Sequence, residues 1–199
     1  LHAHSEDPVA LSQFSGLAQR SILLDVNGQQ VGVFQVKNTQ QTPISAVPDA
    51  VKNAFTAVED SVFYEHDGVN LRAIVRATLA NSQGGGRQGA STITQQVIKN
   101  ELLGGKISGS RLKLLQIRGA VMLEKQLSKE EILERYLNTV FFGNNAYGLQ
   151  AAAEVYFGTS VQSLSQNQGA FLAGMVQAPS SRDPFTKPDS SRYRYKQVL

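Results

Sequence analysis

Hydrophobic positions alternate in the first part of the chain and turn helical after it. Residues 22–36, Ile-Leu-Leu-Asp-Val-Asn-Gly-Gln-Gln-Val-Gly-Val-Phe-Gln-Val, place β-branched residues on both sides of Asn27-Gly28. That dipeptide supplies the positive φ angles of a tight turn, so the stretch reads as a β-hairpin. After Pro43 the period changes. Pro48 suits a first helical turn, and Val51, Ala54, Phe55 and Val58 follow at i, i+3, i+4 and i+7, in a helix that runs out near Glu59-Asp60. Asn70 can cap a second helix carrying Leu71, Ile74, Val75 and Leu79, which ends in a flexible glycine-rich loop at 81–89. Thr92 and Gln95 have capping-box spacing for a helix through Lys99, and a long helix is expected from about Gly109 to Gln126. Ser128 with Glu131 opens the next, with Ile132, Leu133, Tyr136, Leu137 and Val140 on one face. An Ala-rich helix over 146–156 and one opened by Ser165 with Gln168, up to Pro179, complete the series. No internal repeat or long linker divides the chain. The pattern predicts a mainly α fold, with a segment at 1–46 that holds the hairpin and a single domain over 47–199.

Composition narrows the class. At 199 residues and 41% hydrophobic the chain has ample material for a core, which excludes disorder. No run approaches the roughly 20 apolar residues of a membrane-spanning helix. The absence of cysteine excludes a disulfide framework, a thiolate zinc site and a thiol nucleophile. His2, His4 and His66 make no metal cluster. The chain starts at Leu1 rather than at methionine, so we expect an excised or processed piece, with any signal peptide or anchor lying upstream.

Charge is unevenly distributed. Residues 1–70 carry eight acids and three bases, whereas 71–199 carry sixteen bases and eight acids. Most of the excess lies between Arg72 and Arg118, where eight bases, Lys99, Arg111 and Lys113 among them, accompany the single acid Glu101. Such a run suits an anionic ligand or surface, or equally a solvated helix face.

Three stretches carry candidate chemistry. Glu59 to Gly68 holds four carboxylates and His66 just past an apolar helix. Partial burial there raises a carboxyl pKa toward neutrality, as general acid/base work requires. The alternative is a polar turn closed by Gly68, although acids at a helix C-terminus oppose its dipole and need some other reason. Next, Gly84 to Gln96, with Lys99 and Asn100, feeds a glycine-rich loop into a helix N-terminus, which suits phosphate. Gln95, Gln96 and Lys99 lie within a turn or two of that end, where two amides and an ammonium can reach one ligand. An ordinary capped helix behind a mobile loop explains the stretch as well, and it lacks the Gly-Lys-Ser/Thr ending of a nucleotide P-loop. The third stretch, Ser128 to Asn138, reads as a capped amphipathic helix with solvated charges. Ser110-Arg-Leu-Lys113 and Ser165-Gln-Asn167 match two short patterns of penicillin-reactive enzymes, but no Lys-Thr-Gly follows, and acyl-enzyme chemistry is rejected.

Taken together and in order, these stretches resemble the peptidoglycan glycosyltransferase (transglycosylase) domain, glycosyltransferase family 51, found in class A penicillin-binding proteins and monofunctional transglycosylases. The resemblance runs from about Val47 to Leu199. It rests on Glu59-Asp60-x-x-Phe63-x-x-His66-x-Gly68, Gly89-Ala-Ser91-Thr92-Ile-Thr-Gln95-Gln96 with Lys99-Asn100, Ser128-Lys-x-Glu-Ile-Leu-x-x-Tyr-Leu-Asn138, Phe142-Gly-Asn-x-Ala-Tyr-Gly148 and Arg194-x-x-x-Val198-Leu199. It implies a lysozyme-like helical lobe beside a smaller, membrane-proximal lobe, acting on the outer face of the bacterial cytoplasmic membrane. The implied reaction polymerises lipid II into β-1,4 glycan strands. Glu59 would be the base that takes the proton of the acceptor 4-hydroxyl, with inversion at the anomeric carbon and release of undecaprenyl diphosphate. Asp60, Phe63, His66, Ser91, Thr92, Gln95, Gln96, Lys99, Arg111 and Lys113 would bind substrate and its diphosphate. A divalent cation such as Mg²⁺ would bridge diphosphate oxygens, with no metal fixed by protein ligands. The implied partners are lipid II, the growing strand, a membrane surface and moenomycin-type inhibitors, and no nucleic acid.

Two departures stand out. Ser61-Val62 is neutral where the family usually has a basic residue. The family's second glutamate, counted back from Leu123-Glu124, falls on Gln116, which can hydrogen-bond but cannot take a proton. Glu124, eight residues on, is a poor substitute at roughly 12 Å along the helix. The Gln116 departure keeps two further readings in view: a slow or inactive domain that binds lipid II or glycan strands, and a lysozyme-like hydrolase, which would need a second acid.

Overall fold

The computed structural model describes residues 21–24, 30–34, 38–82, 90–102 and 109–199. The Asn27-Gly28 turn, most of the glycine-rich loop with Arg87, the apolar stretch after Leu102 through Lys106-Ile107, and His2 and His4 lie outside these. The hairpin forms where the alternation predicts it. Strand β1 (Ser21–Leu24) pairs antiparallel with β2 (Gln30–Phe34), setting Ile22 opposite Val33. A short strand, β3 (Asn38–Thr39), pairs in parallel with β4 (Ala146–Tyr147) and ties this segment to the rest of the chain. Asn138 reinforces the junction: its Oδ1 accepts from the Thr42 amide at 2.8 Å and its Nδ2 donates to the Thr42 carbonyl at 2.8 Å.

Among the described residues eight α-helices follow: α1 (Asp49–Glu59), α2 (Leu71–Ser82), α3 (Ile93–Glu101), α4 (Ser110–Glu124), α5 (Lys129–Thr139), α6 (Leu149–Phe157), α7 (Gln166–Met175) and α8 (Pro188–Val198). The mainly α class is what the periodicity predicts. One boundary differs. Residues 146–147 are strand rather than helix, because Gly148 turns the chain at φ +84° and its amide donates to the Val140 carbonyl. A side chain there would meet the Asn138 carbonyl oxygen at 2.8 Å, so only glycine lets β4 lie down before α6 starts.

The caps follow the sequence closely. Ser128 and Glu131, and Ser165 and Gln168, each form a reciprocal capping box. Thr92 accepts from the Gln95 amide at 3.2 Å, but the return half of that box is missing, since the Gln95 side chain is used elsewhere. Asn70 caps α2 through the Ala73 amide at 2.9 Å.

Helix α1 packs on α7, α3 lies between α4 and α5, and α8 closes on α7. Phe55, Tyr136, Phe142, Ile93, Ile132, Leu133 and Leu172 are fully buried in the centre. Phe55 takes Tyr136 and Phe142 edge-on at 6.4 and 5.9 Å between centroids. On α4, Gly119 lies so close to α3 that a Cβ would come within 3.1 Å of Ile98. That approach brings the two preceding turns of α4, with Lys113 and Gln116, against α3. Among the described residues no helix is long and apolar enough to cross a membrane.

Candidate active site

Glu59 is the last residue of α1, where the apolar stripe delivers it to the rim of the core. It lines a cleft of about 450 Å³ together with Asp60, Ser91, Thr92, Arg76, Gln177 and Arg194. Gln96, one turn into α3, donates its amide to Glu59 Oε2 at 2.8 Å. Glu59 Oε1 is buried and has no hydrogen-bond partner among the described residues. Burial raises the Glu59 pKa above its ordinary 4.5; Gln96, Gln177, Arg194 and Arg182 act the other way by favouring the carboxylate. The result is a carboxyl whose charged form is disfavoured by burial, with one oxygen anchored by Gln96 and the other buried without a hydrogen-bond partner among the described residues.

Asp60 answers why acids sit at the end of α1. Its Oδ2 accepts from His66 Nε2 at 2.9 Å and from the Ile93 amide at 3.1 Å, so it serves the free amides at the start of α3 rather than the end of its own helix. His66 Nδ1 in turn accepts from the Gly68 amide at 3.1 Å, which leaves Nε2 to donate to Asp60. Phe63 is buried beneath this turn, with the Lys129 ammonium 4.6 Å above its ring. Lys129 also pairs with Glu124 at 2.7 Å, and Thr94 donates to the same carboxylate oxygen at 2.6 Å. Glu124 thus makes these contacts away from the cleft.

A second cluster joins α3 to α4. The Lys113 ammonium donates to Ser91 Oγ at 2.9 Å, Gln95 Oε1 at 3.1 Å and Gln116 Oε1 at 2.9 Å. Gln116 is buried, and its Nε2 donates to the Gln95 carbonyl at 2.7 Å. Gln95 completes the set by donating to the Gly68 carbonyl at 3.3 Å, and Thr92 Oγ1 does the same at 2.7 Å. Burial lowers the Lys113 pKa, and the nearby Lys99 charge lowers it further.

The structure thus divides the residues that the sequence nominates. Glu59 lines the cleft, with Ser91, Thr92 and Asp60 in its wall, and Gln96 reaches Glu59 from α3. Gln95, Lys113 and Gln116 form the adjoining cluster, within reach of the Lys99 charge. Phe63 and His66 sit behind this wall and brace it. Arg111 is exposed on the first turn of α4. The two amides of Gln95 and Gln96 point to different groups, as consecutive helix residues about 100° apart must. Sequence reasoning missed Gln177, Arg182, Arg76 and Asn70 as companions of Glu59. Arg194 was visible only as part of a motif at the far end of the chain, and the packing of α8 on α7 delivers it to the cleft.

Comparison with known proteins gives a consistent picture. A family model described as Transglycosylase matches residues 27–199. Penicillin-binding protein 1A/1B of Bacillus subtilis (strain 168) is 41% identical over 181 residues, 90% of this chain and 20% of that protein. Penicillin-binding protein 1F of the same organism is 38% identical over 180 residues, 90% of this chain and 25% of its own length. Penicillin-binding protein 1A of Neisseria gonorrhoeae is 37% identical over 178 residues, 89% and 22% respectively. The crystal structure of Penicillin-Binding Protein 1A from Haemophilus influenzae aligns with a TM-score of 0.44 at 20% identity, covering 92% of this chain and 18% of that one. The chain thus spans about a fifth to a quarter of the length of the curated relatives it matches.

Proposed function

The chain belongs to the transglycosylase family, and from that premise we propose that it is a peptidoglycan glycosyltransferase domain whose general base is Glu59. One observation carries the assignment: the Glu59 carboxyl lines the cleft, is buried enough to raise its pKa, and has one oxygen anchored by Gln96 while the other makes no direct hydrogen bond among the described residues. The acceptor is the 4-hydroxyl of an N-acetylglucosamine unit of lipid II. Glu59 takes its proton as the oxygen attacks the anomeric carbon of the growing strand from the face opposite the leaving group. The new β-1,4 C–O bond forms as the bond to undecaprenyl diphosphate breaks, and the electron pair leaves on the phosphate oxygen. One base and a cationic environment for the departing diphosphate are what this displacement needs. Arg76 and Arg194 in the cleft wall and Lys113 behind Ser91 offer that environment.

By the same reading, the chain works at the outer face of a bacterial cytoplasmic membrane, where lipid II is presented. Gln116, buried and bonded at both ends, supports the polar wall and takes no part in proton transfer. The inactive binding-domain reading makes a different prediction in the same assay. Lipid II polymerisation by this chain in detergent is expected to yield glycan product that disappears in Glu59→Gln. Undiminished turnover in that variant would remove Glu59 from the mechanism. No product from the parent would favour a binding domain.

A further inference from the structure

Family resemblance brings with it the expectation of a divalent cation at the diphosphate. Hard cations such as Mg²⁺ prefer anionic oxygen ligands, carboxylates above all. The oxygens gathered around Lys113 are the Ser91 hydroxyl and the amide oxygens of Gln95 and Gln116, each already accepting from the ammonium. None is a carboxylate, and a cation seated among them would stand against the fixed Lys113 charge. Glu124, the next acid on α4, is held by Lys129 and Thr94. Among the described residues no three potential ligands from His, Asp and Glu stand together. These oxygens offer a metal no ligand, and a cation carried in on the diphosphate itself would meet the Lys113 charge at the same phosphate oxygens.

The cluster has a different logic. Three uncharged oxygens hold Lys113 in place without neutralising it. Gln116 is suited to this in a way that glutamate is not. Its Nε2 donates to the Gln95 carbonyl at 2.7 Å, whereas a carboxylate oxygen in its place would face that carbonyl oxygen with no proton between them. Its other end would neutralise the ammonium 2.9 Å away.

We propose that this chain binds and releases the substrate diphosphate without a divalent cation, using the Lys113 ammonium that Gln116 positions and leaves uncompensated. Ser91 lines the cleft, so exchange of its hydrogen bond for one to a phosphate oxygen turns the ammonium to the ligand while Gln95 and Gln116 keep their holds. Gln116 is here a positioning residue, and the inference rests on the glycosyltransferase reading above.

The test is calorimetric titration of the chain with farnesyl diphosphate, in EDTA and in Mg²⁺, beside lipid II polymerisation in the same two buffers. The parent is expected to bind equally well in both, within about twofold. Gln116→Glu is expected to lose about tenfold or more in EDTA and to regain part of it with Mg²⁺, because a new carboxylate both cancels the ammonium and creates a cation ligand. Lys113→Met is expected to lose binding in both buffers, which keeps the test decisive should Gln116→Glu fold poorly. Tight binding by the parent only with Mg²⁺, parent-like binding by Gln116→Glu in EDTA, or parent-like binding by Lys113→Met would each overturn the proposal. Polymerisation that demands Mg²⁺ would sink it while leaving the glycosyltransferase reading intact. Diphosphate binding in EDTA with no polymerisation in either buffer would instead sink that reading.

Discussion

Replacing Gln96 by leucine isolates the hydrogen bond that sets the proposed base. In the structure Gln96 Nε2 lies 2.8 Å from Glu59 Oε2 and heads the influences that favour the ionised carboxylate. A hydrogen bond to a charged group contributes about 1.5–3 kcal/mol, and one pH unit corresponds to about 1.4 kcal/mol. Loss of the bond therefore raises the Glu59 pKa, already lifted by burial, still further. Since the proposed base works only when deprotonated, the acid limb of kcat/KM moves up with it, and the rate on that limb falls by about ten- to a hundredfold. Activity falls steeply on the acid side and much less on the alkaline side. The assay is a pH profile of lipid II polymerisation by the parent and Gln96→Leu, with thermal melting to confirm that both are folded. A uniform loss of rate at every pH, with the acid limb unmoved, would show that Gln96 does not control the ionisation of Glu59.

Three further outcomes can be checked. Glu59→Gln should be more stable than the parent at neutral pH, by about 0.5–2 kcal/mol in denaturant titration. Because the folded pKa of Glu59 lies above its ordinary 4.5, the ionised form costs stability once the pH rises through that folded value, so the advantage of the amide should vanish at acid pH. Gly68→Ala combines a φ of +85° with a Cβ only 2.8 Å from the Ala120 carbonyl, and should cost about 2–5 kcal/mol. It should also loosen the carbonyl that Thr92 and Gln95 share. Ser128→Ala removes half of the box that starts α5, and a loss of about 1 kcal/mol in chemical denaturation is expected.

The features legible in the sequence are those whose causes are local. Asn70, Ser128 and Ser165 cap the helices their spacing predicts, because a cap is decided within one turn of chain. The stripe from Val51 to Val58 placed Glu59 at the end of a buried face for the same reason. Thr92 and Gln95 mark where such reasoning stops. Their spacing is that of a capping box, yet the Gln95 side chain turns to the Gly68 carbonyl and to Lys113, which reach it from other parts of the chain. The cleft lies between the end of α1, α2, the residues that lead into α3, Gln177 and α8, so Arg194 and Gln177 stand beside Glu59 without any local pattern to announce them.

Gln116 makes the same distinction at the level of chemistry. As a letter in a motif it reads as a carboxylate missing, and the loss of negative charge is all that the sequence can register. In three dimensions the amide supplies what a carboxylate lacks: a donor, aimed at the Gln95 carbonyl from 2.7 Å, while its oxygen meets Lys113. Both ends are satisfied in a buried site, where an unpaired polar atom costs about 1–3 kcal/mol. A glutamate restored at this position would satisfy the ammonium but oppose the carbonyl. The effect of Gln116→Glu is thus governed by two contacts of opposite sign, and on the proposal made above the one that decides diphosphate binding is the neutralisation of Lys113.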